Sequence, residues 1–245
     1  MRAQPDNSGM RRHEVGAIVV TLLGLSLLTV GCGSTSPTAT KATTTSSDTS
    51  STTATTTTEP TVVPTDAAVW PFAASTTRYH DPIRAATDFA VAYLGFVKPV
   101  VGPFVAGDTR SGEVDVRANA HSTATTTVMV RKLAPDETWW VLGAATPHLV
   151  LQSPAWNASI TSKVTVAGRS TAFEATVNVE IRQDGSLTPL GTDFFMGGAN
   201  GTMGPFSKAV AFATPTAKRG AIVFEIPSTE GGGTLEAGAI RVQFP

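Results

Sequence analysis

One cysteine in 245 residues excludes an internal disulfide and every multi-cysteine metal site. Charge is also scarce: 15% of residues are charged and the formal net charge is −1. Without clustered Lys and Arg to replace phosphate counterions, no nucleic acid is expected as a partner, nor a polybasic contact with a membrane surface. Neither a Gly-x-Ser-x-Gly elbow nor a His-Glu-x-x-His motif occurs, which removes the local signatures of a serine hydrolase and a zinc protease. His80, His121 and His148 are scattered without metal-ligand spacing. No catalytic, cofactor-binding or metal-ligating residue is therefore expected, and no enzyme.

A long membrane span is missing too. The apolar or small-residue run Val15 to Val30 has 16 residues, short of the roughly 20 that cross a hydrocarbon core. It follows Arg2, Arg11 and Arg12 and ends in Leu28-Thr-Val-Gly-Cys32, the layout of a secretory signal. That ending resembles a bacterial lipobox, with cleavage between Gly31 and Cys32 and acylation of Cys32. The sole cysteine of the chain sits where that chemistry requires one. Residues 1–31 are thus read as a lipoprotein signal peptide. The expected location is the extracytoplasmic face of a bacterial cell membrane, with the membrane a partner through the lipid, since more than one acyl chain anchors stably.

From Gly33 to Thr65, 21 of 33 residues are Ser or Thr. Such a segment buries too little apolar area to offset its ordering entropy, so 32–65 is expected to be a disordered tether with a reach of about 30 Å.

Beyond Thr65 the chain is patterned. In residues 66–147, Asp81-Pro82 is a helix start, with Ile83, Ala86, Phe89, Ala90 and Tyr93 on one face and Gly95 as the stop. Val100 to Gly112 reads as turn-rich. Three strand-like runs come next: Glu113 to Ala118, Thr125 to Leu133 and Trp139 to Leu142. One helix on a three-stranded antiparallel meander, a small α+β unit, is the expected arrangement. Adjacent strand residues face opposite ways, so one of Trp139 and Trp140 is expected in the core and the other over a domain junction.

Residues 148–245 carry seven short strand patterns separated by turn residues, the spacing of a Greek-key β-sandwich. The clearest is Phe173 to Arg182, whose Phe173, Ala175, Val177, Val179 and Ile181 alternate with polar residues. Asp184-Gly185 then predicts a tight hairpin with the partner strand starting near Leu187. Glu174 and Glu180 lie about 20 Å apart along such a strand, too far to cooperate as a glycosidase pair, and read as surface charges. Gly197 to Gly204 reads as a plain loop, because Pro205 and a strand come after it instead of a helix that could face an anion.

Leu151-Gln-Ser-Pro154, Ile160 to Gly168, Ala172-Phe-Glu-Ala175, Asp184-Gly185, Gly204-Pro-Phe206 and Ile240-Arg-Val-Gln-Phe244 resemble, in order, the immunoglobulin-like domain Gmad2. The resemblance covers about 148–245. It implies an immunoglobulin-like sandwich that acts as an interaction module and has no catalytic residues to transfer. The function expected from all this is a membrane-anchored lipoprotein that binds or scaffolds an envelope protein or a cell-wall glycan. Two alternatives stand beside it: a carrier or sensor of a small apolar ligand held near Phe89, Tyr93 and Trp140, and an enzyme with an unrecognised site.

Overall fold

The computed structural model describes residues 66–229 and 232–245, which all lie in one compact unit, Thr56–Pro245. Gly31 and Cys32, and with them the signal and tether, fall outside the described residues. Among those described, no helix is long and apolar enough to cross a membrane.

The molecule is mainly β. Helix α1 (Pro82–Asp88) starts where the sequence places it: the Asp81 carboxylate accepts a hydrogen bond from the Ile83 N–H at 2.9 Å, and Pro82 supplies the first helical position. It runs on as a π-helical turn, Phe89–Tyr93, and stops at Gly95, whose φ is +80°. Ala86, Phe89, Ala90 and Tyr93 are buried as expected, whereas Ile83 stays 36% exposed.

Four strands, one more than the sequence indicates, form an antiparallel meander: β1 (Val100–Ala106), β2 (Ser111–Arg117), β3 (Thr126–Leu133) and β4 (Thr138–Ala145). The extra strand β1 lies in the stretch read as turn-rich. Gly102-Pro103 falls at its bulge, between Val101 and Phe104, and β1 is an edge strand, where proline is tolerated. Next come β5 (Leu149–Ser153), β6 (Ala158–Ser159), β7 (Val164–Ala172), β8 (Thr176–Gln183), β9 (Gly191–Met196), β10 (Gly198–Ala199), β11 (Gly204–Val210), β12 (Arg219–Pro227) and β13 (Thr234–Gln243). β5, β7, β10 and β11 make one sheet; β8, β9, β12 and β13 make the facing one, joined by β4. The chain switches sheets at β7–β8, β9–β10 and β11–β12, as an immunoglobulin-like Greek key requires.

The division read at 147/148 does not divide the sheet. β4 is hydrogen-bonded to β3 on one side; on the other, Trp70 and Tyr79 pair with its first half, and β13 meets it at Ala144 opposite Ala239. One nine-stranded sheet results. Its β8–β12–β13 part is covered on both faces. Ile222, Phe224, Ile226 and Val242 face the small sheet, while Ala221, Val223, Ala237 and Ala239 pack with the helical residues Phe89, Ala90 and Tyr93. Burial on both faces is why β12 reads as a nearly unbroken apolar run, Gly220 to Ile226.

Three expectations are corrected. Phe173 is 67% exposed, because β7 ends at Ala172 and Ala175 takes φ +62°, so residues 173–175 turn instead of extending β8. Gly185 does turn the chain (φ +83°), but β9 starts at Gly191, opposite Ile181, and not near Leu187. Both tryptophans are buried: Trp139 lies edge-on to Phe104 at 5.1 Å in the meander core, and Trp140 packs on the other face with Ala68 and Leu133 under the Arg78 guanidinium. Neither covers a domain junction.

Candidate functional site

At one end of the sandwich, strand ends and turns from both sheets surround a cleft of about 260 Å³. The segment after β4 brings His148, β13 brings Leu235 and Glu236, the end of β7 brings Thr171, the turn after it brings Phe173, and the β10–β11 turn brings Asn200. That last turn is tight: Asn200 and Gly201 have φ +52° and +77°, and the Thr202 N–H donates to the Ala199 carbonyl at 3.0 Å.

A carboxyl group is buried at its floor. Glu236 is 2% exposed, and its Oε2 accepts a short hydrogen bond from the Thr146 hydroxyl. His148 Nδ1 lies 2.7 Å from Oε1 and 3.0 Å from Oε2. Where Glu236 is an ionised carboxylate, which can only accept, the proton of this contact lies on Nδ1 and Nε2 is the imidazole atom left over. The His148 side chain is half exposed. Beside the dyad, the Thr171 hydroxyl and that of the preceding Ser170 are buried and have no hydrogen-bond partner among the described residues.

A wider depression, about 390 Å³ over β8, β9 and β12, is lined by Asn178, Glu180, Asp193, Phe194 and Glu225. Its carboxylates are already engaged. Glu180 accepts from Arg182 Nε at 2.7 Å, Asp193 pairs with Lys208 at 3.0 Å, and Glu225 accepts from Asn178 Nδ2 at 3.4 Å. The Lys208 hydrogen bond holds the Asp193 carboxyl below its usual range.

The two sequence readings at the glutamates and histidines resolve differently. Glu174 is exposed and Glu180 is an ion-pair partner, so the two share no site. His148, unremarkable in the sequence, turns out to be half of the dyad; its partner lies 88 positions further along the chain, out of reach of any local motif. Among the described residues no group of three or more His, Cys, Asp and Glu is placed to hold a metal. The trio suggested for an apolar ligand does not line one space. Phe89 and Tyr93 stack at 5.1 Å in the core, and Trp140 lies on the opposite face of β4.

The strand order and the loops at this end are those of an immunoglobulin-like sandwich, and the comparison with known families agrees. Residues 148–233 match Gmad2, the immunoglobulin-like domain of bacterial spore germination. No curated protein and no solved structure matches the chain. The Gmad2 match takes in His148, Thr171, Phe173 and Asn200, while Leu235 and Glu236 lie just past its end. An immunoglobulin-like domain of this kind points to a non-enzymatic binding module. The meander and helix lie outside the Gmad2 match, although they share a sheet with it.

Proposed function

We propose that the chain is an extracytoplasmic lipoprotein, cleaved between Gly31 and Cys32 and held to a bacterial cell membrane by acyl groups on Cys32. In this reading its folded residues serve as a non-enzymatic binding module toward an envelope protein or a cell-wall glycan. The Gmad2 match over 148–233 carries the module part. The anchoring part rests on sequence, on the one cysteine at the end of the apolar run.

Each part has its own test. Cys32→Ala is expected to move the protein from the membrane fraction to the medium, and unchanged retention would defeat the anchor. The module part expects the full chain to be retained either on detergent-solubilised envelope proteins or on sedimented cell wall. Retention on neither would defeat it.

A further inference from the structure

We infer that the cleft at His148 and Glu236 is a saccharide site that takes one neutral, hydroxyl-rich ring. The inference deepens the binding-module reading and rests on it.

Charge balance sets the ligand class. Glu236 is buried with both oxygens engaged, by Thr146 and by His148. An anion entering the cleft would sit against a buried carboxylate, and a cation would have to compete with the Thr146 and His148 groups that already hold both oxygens. A neutral polar ligand meets neither obstacle. With Nδ1–H committed to Glu236, His148 offers a lone pair at Nε2 when the ring is neutral and an N–H when it is protonated. A hydroxyl both donates and accepts, so it can satisfy either state.

The rest of the lining supplies what a sugar ring asks for. Phe173, 67% exposed at the lip, offers a bare aromatic face against which the C–H face of a pyranose can lie. Thr171 is 4% exposed and lines the cleft, and its hydroxyl is a buried group that has no hydrogen-bond partner among the described residues. Such a group is costly to keep. Asn200 adds an exposed side-chain amide from the β10–β11 turn. Size limits the occupant, since about 260 Å³ falls below the range that encloses a drug-sized molecule. One ring of a longer glycan fits that space.

The test uses the full chain in a detergent without a sugar head group, with glucose, galactose, mannose and N-acetylglucosamine as probes in saturation-transfer NMR. At least one is expected to bind. Phe173→Ala, a surface change, should weaken that binding about tenfold, the loss of one aromatic contact. Thr171→Val keeps the side-chain shape and removes only the hydroxyl; it should weaken binding several-fold without lowering Tm. Binding by none of the four sugars, or binding unchanged in either variant, overturns the inference. Retention on envelope material is measured in parallel. Wild-type retention without sugar binding removes the saccharide site alone, and absence of retention removes the module reading itself.

Discussion

Arg241 and Asp184 form a two-pronged ion pair across the end of the sandwich: Nη1 to Oδ1 at 2.5 Å and Nη2 to Oδ2 at 2.6 Å, with the Arg241 side chain 2% exposed. Arg241 Nε also donates to the carbonyl of Asp66 at 3.0 Å, and the Asp66 carboxylate pairs with Arg219. The pair thus ties the first described residue to the last two long strands. Removing one partner leaves a buried guanidinium uncompensated. Asp184→Ala is expected to cost about 3–5 kcal/mol in denaturant unfolding, and the double variant Asp184→Ala/Arg241→Met to recover most of it. A double variant as unstable as the single one would show the pair to be incidental.

The chain has two tyrosines, Tyr79 and Tyr93, and burial pushes both phenols above their ordinary range. A raised folded-state pKa keeps its stabilising contribution below the unfolded value near 10 and loses it as pH rises beyond that point. The phenolate absorbance at 295 nm should therefore lag well behind that of the unfolded chain. Stability should fall above pH 10 by up to about 1.4 kcal/mol per pH unit for each tyrosine still protonated in the fold. In Tyr93→Phe that slope should be smaller. An unchanged slope would mean Tyr93 ionises alike in both states.

Asp81 caps α1 through the Ile83 N–H. Asp81→Ala should lower stability by about 1 kcal/mol, and Asp81→Ser should restore most of it, because serine also accepts from the first-turn N–H groups. Equal losses in both variants would assign the effect to charge and not to the cap.

Around the cleft, two substitutions should act in opposite directions. Ser170 is fully buried with its hydroxyl unpartnered, so Ser170→Ala should leave stability unchanged or raise it by about 1 kcal/mol. Gly198 has no room for a side chain: a Cβ would lie 1.8 Å from the Thr202 carbonyl oxygen and 2.3 Å from the Gly204 nitrogen. Gly198→Ala should therefore cost about 1–3 kcal/mol and displace the β10–β11 turn that carries Asn200. A crystal structure or backbone amide shifts of that variant, compared with wild type, would check the displacement.

How far these features can be read from the sequence depends on how local their causes are. The Asp81-Pro82 start and the Val177, Val179, Ile181 alternation are local, and both appear where the residues place them. Ala175 defeats the reading at Phe173, because alanine carries no mark of the positive φ it adopts there. Arg182, one of the polar residues that alternate with Val177, Val179 and Ile181, reaches over the Tyr93 ring at 4.9 Å and donates to the Tyr93 carbonyl at 2.6 Å. A helix from elsewhere covers that face, and alternation along one strand cannot reveal it. The same limit hides the cleft, since its acid, its imidazole and its unpartnered hydroxyl come from three separate strands and loops.

Both interior clusters wait on the final strand. β13 sends Ala237 and Ala239 to one and Val242 to the other, while its Arg241 grips residue 66. A chain emerging N-terminus first cannot seal either interior until Thr234–Gln243 is out. Sequence-distant pairing of this sort favours late, all-together assembly over domain-by-domain assembly. A premature stop before Thr234 would leave two half-finished bodies and not one intact domain beside a missing one.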